Sequence, residues 1–281
     1  MDHPWSIRGD NVSPWRVLLL FSGDSSQTTA AKKIATRPRG EALVHVTYYF
    51  RSPRALGAAA TIFVFLQVCA AFFLDAVTLA VGQPADDDLG GALLLLAASL
   101  AQLFTLLLAA ATVLAWVHRV ASNVRALGQE GLQMTPGWAV GVWFIPFANL
   151  VRPYIALKEI FAASDPQTIG GGAAWRGGRV PKVLGLWWGA WLLSGFLNNI
   201  TAQIQWREPS AGTTVGFVAT AFGLLAATAL ASFVTALGRR QDAAWTRFAS
   251  MGWGHAHHAA PPPWSHGPYG GPGAPVYLRA A

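Results

Sequence analysis

Two sets of polar side chains stand in this otherwise apolar chain where they could do chemistry. The first is Asp75 with Asn198, Asn199 and Gln203, all inside long hydrophobic runs. An ionisable group within a membrane span is costly and often marks an ion or proton path. Asn199 and Gln203 are spaced i, i+4 and share a helix face, so with Asp75 they could form a membrane-embedded polar cluster. Hydrogen bonding between helices is the plainer role, and Asp75 stands roughly 9 Å from the end of its run. The second set is Arg119, Asn123 and Arg125 with Asn149, Arg152 and Tyr154, at the ends of such runs. Cations and amides there can tie one segment to another or bind an anion. Asn149 and Arg152 are i, i+3, and an asparagine at this point can cap a helix beginning near Leu150. Pro153 would then fall in its first turn, where proline is tolerated. A third group, His255, His257, His258 and His266, could hold a transition metal weakly, but sits in a low-complexity tail.

Enzyme signatures are missing from this inventory. There is no GxSxG, HExxH, P-loop or dinucleotide fingerprint. The single cysteine, Cys69, allows no internal disulfide and no all-cysteine metal site. The expectation is a protein without catalytic residues, cofactor or metal centre.

The elements that must position these residues are read from composition and periodicity. Of 281 residues 53% are hydrophobic and 12% charged. Soluble domains carry about 25% charged residues, so an integral membrane protein is expected. A net charge of +7 could point to nucleic acid or to anionic lipid; the placement of the charges favours lipid. Arginine outnumbers lysine 16 to 4 and alanine and glycine are abundant, a bias common in bacteria.

Four apolar runs are long enough to span a bilayer, at 56–81, 91–117, 183–204 and 213–237. Residues 1–47 read as a poorly ordered basic extension, and the brief run WRVLLLF within it is marginal for a signal peptide. Residues 48–240 form the multi-pass domain. Residues 241–281, rich in histidine, proline and glycine, read as a disordered cytoplasmic tail. Residues 164–179 read as a glycine-rich linker. The connectors 82–90 and 205–212 hold one Lys or Arg, Arg207, while the other 19 of 20 flank the opposite side. The positive-inside rule then places both termini in the cytoplasm.

Between the second and third spans lies PGWAVGVWFIPFANLVRPY, residues 136–154. Its flanks, Arg119 and Arg125 before and Arg152 and Lys158 after, belong to the same side, so it crosses an even number of times or not at all. Trp138 to Leu150 is about 20 Å as a helix, too short to cross twice. It must be re-entrant or lie in the inner interface, with amphipathic 151–163 following. Pro146 breaks it and Pro153 restarts it. Trp138, Trp143, Trp187, Trp188, Trp191 and Trp116 read as interfacial anchors.

The pattern Trp116, Arg119, Asn123, Leu127-Gly128, then PGWAVG, WFIP, Ala148-Asn149-Leu150, Arg152-Pro153-Tyr154 and Leu186-Trp187-Trp188 resembles an uncharacterised bacterial membrane-protein family, domain of unknown function 4328. The resemblance covers roughly residues 48–240. Val142-Trp143 stands where members often show two adjacent tryptophans, and the N-terminal extension is not part of the pattern. The resemblance implies a multi-pass membrane domain and brings no activity or ligand.

The resulting expectation is an all-α integral membrane protein of the bacterial plasma membrane, with four spans and a re-entrant or interfacial helix between the second and third. It would act as a non-enzymatic scaffold or sensor. Its partners would be the lipid bilayer, anionic lipid headgroups at the cytoplasmic face and unknown proteins, without nucleic acid. The alternative is a small transporter or channel using Asp75 and the Asn198/Asn199/Gln203 cluster.

Overall fold

A computed structural model describes residues 48–251 except 83, 86 and 206. The N-terminal extension, Asp86 and the histidine tail therefore lie outside the described residues. Those described are helical, without strands. The helices are α1 (Arg54–Val81), α2 (Leu89–Ala126), α3 (Pro136–Gly141), α4 (Arg152–Ala163), α5 (Lys182–Ile204) and α6 (Pro209–Ser250). Short 3-10 turns at Val142–Phe144, Ala148–Leu150 and Pro166–Thr168 join them.

Local chemistry sets the ends. The Asp88 carboxylate accepts the Gly91 N–H at 2.9 Å and caps α2, while the Thr135 hydroxyl accepts the Trp138 N–H at 3.3 Å at the start of α3. Pro209 begins α6 in the position where its missing N–H costs nothing. Gly128, with φ 72°, takes the chain out of α2 in a conformation that suits glycine.

Three helices, α1, α2 and α6, are long and apolar enough to cross a membrane. The 23-residue α5 is long enough, but Asn198, Asn199 and its tryptophans lower its hydropathy, and it is not among the three. The long helices run antiparallel to their neighbours. Gly57 of α1 meets Trp116 of α2 and Val234 of α6; Val68 meets Gly223; Ser194 of α5 bonds to Ala219 of α6. The packing order is α2–α1–α6–α5, and α3 and α4 reach from α2 to α5 across one end.

Two elements differ from the sequence expectation. The last helix runs to Ser250, well past Leu237, so residues 241–250 are ordered helix rather than tail. At 1.5 Å per residue α6 is about 63 Å long, twice a hydrocarbon core. Hydropathy missed the extension because its polar face ends the apolar run, while Gln241, Ala244 and Phe248 keep the buried face. The glycine-rich 164–179 segment is a series of turns and not a featureless linker. Ile169 and Trp175 are buried in it, the Trp175 Nε1–H donates to the Glu130 carbonyl at 3.0 Å, and Gly170, Gly172 and Gly177 take the positive φ its turns require.

Candidate functional site

The buried polar residues concentrate where α2, α4 and α6 meet. Asn123, on the last turn of α2, is completely buried. Its Nδ2 donates to the Arg51 carbonyl and to Gln241 Oε1, both at 2.8 Å, and its Oδ1 accepts the Arg51 N–H at 3.1 Å. Gln241, also completely buried, donates from Nε2 to the Val120 carbonyl at 2.9 Å and to Ser164 Oγ at 3.1 Å. The Ser164 hydroxyl donates to the Ile160 carbonyl at 2.6 Å. Both carboxamides thus have their donors and an acceptor engaged, the condition under which a buried polar network stabilises rather than costs.

Ion pairs surround this network. Arg240 Nη2 meets Asp165 Oδ2 at 2.7 Å, and its guanidinium lies over the Phe161 ring at 4.7 Å. Arg54 pairs with Asp242. Phe50 stacks on Trp245 with ring centroids 4.8 Å apart, beside a small core of Leu127, Ile169, Ala244 and Phe248. The segment before α1, the end of α2, the turn after α4 and the end of α6 are thereby bound together.

The apolar block after α2 is held by aromatic contacts. Trp143 packs edge-on to Trp188 and Trp191 of α5, with centroids 5.8 Å apart in each case. Tyr154 lies 6.4 Å from Trp188, whose Nε1–H donates to the Leu150 carbonyl at 3.0 Å. Pro146 and Phe147 turn the chain. Phe147 has φ 62°, a bulky residue in the left-handed region, at a cost of order 1–3 kcal/mol. It is 85% exposed and Phe144 is 73% exposed, so the turn presents apolar side chains outward.

The sequence-derived residues separate under this geometry. Asn123, Trp143, Pro153 and Tyr154 are structural members of the block. Asn149 does not cap α4: it lies in a 3-10 turn, and the N-cap is Val151 without a side-chain bond. Pro153 does sit in the first turn. Arg125 donates to the Met134 carbonyl at 3.1 Å, Arg119 is half-buried, and Arg152 is exposed. Trp116, Trp187 and Trp188 are buried core residues rather than interfacial anchors, while Trp138 is 58% exposed. The second set does not assemble as expected. Asp75 accepts a hydrogen bond from the Thr220 hydroxyl of α6 at 2.8 Å, whereas Asn198, Asn199 and Gln203 are exposed on α5. A Cβ at Gly216 would stand 2.8 Å from Asp75 Oδ1, so that glycine makes room for the carboxylate.

Gln241, Ser164 and Asp165 went unnoticed in the sequence. The signal for Gln241 was the continuation of the helical apolar spacing through Ala244 and Phe248; nothing comparable marks Ser164 and Asp165. Glu159 of α4 has its pKa raised, mainly by burial. The bond it accepts from the Gln133 N–H, at 3.2 Å, and the nearby Arg176 and Arg125 act the other way. Among the described residues no cluster of His, Cys, Asp or Glu could hold a metal ion. The arrangement joins helices.

The sequence model of the family described as Domain of unknown function (DUF4328) matches residues 87–242, more than half of the chain, and the chain belongs to that family. No curated protein and no solved structure matches it.

Proposed function

We propose that this DUF4328 protein is a four-span membrane scaffold or sensor, without enzymatic activity, whose 138–163 element dips into the cytoplasmic leaflet. The observation that carries the reading is the bond from Trp188 Nε1 to the Leu150 carbonyl. Trp188 lies about 9 Å along α5 from Lys182. With Lys182 at the headgroup level, the turn at Pro146 sits within the hydrocarbon, where Phe144 and Phe147 meet acyl chains. Counting α5 as the fourth crossing puts both connectors, with Asp87, Asp88 and Glu208 against Arg207, on the outer side and both termini in the cytoplasm. The exposed cations Arg152, Lys158, Arg179 and Lys182 then face anionic headgroups.

A scaffold is favoured over a transporter because the buried carboxamides of Asn123 and Gln241 are consumed by internal bonds. Asp75 closes on Thr220 and has no polar continuation to Asn198 or Asn199. Protein partners would dock on the cytoplasmic stub formed by the ends of α2 and α6. The bacterial plasma membrane is the expected site.

The test is topological. Single cysteines at Phe147 and Ser250 should resist a membrane-impermeant maleimide added to intact cells, and one at Ser210 should react. Labelling of Phe147→Cys from outside would sink the dipping element.

A further inference from the structure

The amides that do not join Asp75 lie on an edge helix whose side away from α6 is open at Gly189, Phe196, Asn199 and Gln203, while Leu192 packs against the core and Gly185 lies beside Tyr154. α5 packs on α6 through Ala190, Ser194 and Thr201, and on the Trp143–Tyr154 block through Leu184, Trp188 and Trp191. Gly185, Gly189, Leu192, Phe196, Asn199 and Gln203 occupy the side away from α6. Their spacing is 4-3-4-3-4, the heptad repeat of a helix–helix seam. A Cβ at Gly189 would meet nothing within 4 Å, Phe196 is 63% exposed, and Asn199 and Gln203 are exposed.

The depth of the amides makes this exposure costly. Ser194 is level with Ala219, Gly216 with Asp75, and Val81 with Gly91. Following those pairings from helix to helix, Asn199 stands at the level of Leu94 and Leu96 of α2, which are exposed apolar residues. At that height α2 exposes leucines, whereas α5 exposes Asn198 and Asn199, of which Asn199 lies on the side away from α6. A carboxamide in lipid gains most from a partner that is both donor and acceptor.

We infer that α5 is a homodimer interface, whose occupant is α5 of a second copy of this chain. Two copies in one membrane share their topology, so a two-fold axis along the membrane normal sets the helices parallel and brings equal levels together. Asn199 then faces Asn199 of the second copy and Gln203 faces Gln203, while Gly185 and Gly189 admit close backbone approach at the other end. A polar residue in such a seam also fixes its register. The inference rests on the reading that α5 crosses the membrane.

Disulfide cross-linking of the full chain in native membranes tests it, in a Cys69→Ser background. Phe196→Cys and Asn199→Cys should form disulfide-linked dimers on mild oxidation, and Leu186→Cys and Leu193→Cys, on the adjoining face, should not. Cross-linking at Leu186→Cys and Leu193→Cys equal to that at the seam positions, or none at the seam positions, overturns the interface. Impermeant labelling of Ser210→Cys separates the premises. Labelled Ser210 without seam cross-links rejects the dimer alone; unlabelled Ser210 rejects the crossing of α5 and the dimer with it. In energy-transfer measurements on vesicles, Asn199→Leu with Gln203→Leu should weaken dimerisation about tenfold, and Gly189→Ile should weaken it while leaving the monomer's own contacts intact. An unchanged dimer fraction in both overturns the proposal.

Discussion

The two ends of the helix bundle are built on different principles. At the end that carries α3 and α4, helices are joined by large buried aromatics and by the carboxamides of Asn123 and Gln241, whose donors are all engaged. Toward the connector end, α1 and α2 bury small side chains, Ala98 and Ala109 on α2 and Val68 and Val77 on α1, and the polar bonds between helices are single ones, from Thr220 to Asp75 and from Ser194 to the Ala219 carbonyl. Leu93, Leu100, Phe104 and Leu107 of α2 are left exposed there. The difference is the one that the proposed membrane placement calls for. In hydrocarbon an exposed leucine costs nothing and small residues let helices approach. At the aqueous end, apolar area must be buried and polar backbone groups need partners.

The sharpest way to break this contrast is Asn123→Ala. It leaves both backbone groups of Arg51 and the Gln241 Oε1 without their partner, and should cost about 3 kcal/mol. The thermal midpoint of the purified protein in detergent reads this out. Gln241→Ala should cost a similar amount, and the double variant much less than the sum, because the two side chains form one network.

At the other end Gly216→Val should cost about 2 kcal/mol by displacing the Asp75 carboxylate from Thr220. The same substitution in an Asp75→Ala background should be close to neutral, which a double-mutant cycle measures. A full cost in both backgrounds would show that Gly216 is needed for something other than the carboxylate.

The smallest effect concerns Glu159. Its pKa is raised in the folded protein, chiefly by burial, so the folded state binds the proton more tightly than the unfolded state. Its contribution is present below the ordinary glutamate pKa and is lost as pH rises through the raised value. Thermal midpoints measured from acid toward neutral pH should fall slightly in the natural protein, and Glu159→Gln should remove that part of the slope. An identical slope in both would mean that Glu159 does not report the folding of α4.

Much of the architecture was legible because hydropathy is a local property. Leu56–Val81 and Gly91–Val117 needed no partner to be recognised as membrane-length helices, and Pro146 and Pro153 announce a break and a restart wherever the chain lies. The Trp138–Tyr154 block stood out by composition and by its resemblance to the family. The aromatic contacts that hold it were out of reach, since nothing in the spacing of Trp143 and Trp188 says that they meet.

Sequence alone determined that the chain is helical, that it holds helices long and apolar enough to cross a membrane, and where its cations gather, because each depends on residue type and short-range period. Only the tertiary structure decided which polar residues serve as partners. Asp75 reaches Thr220 and not Asn199 because α1 lies against α6, and Gln241 became the centre of the core because α6 continues past its apolar run to meet Asn123. A side chain's role depends on what stands across from it. That is fixed by packing between distant segments, which no local pattern encodes.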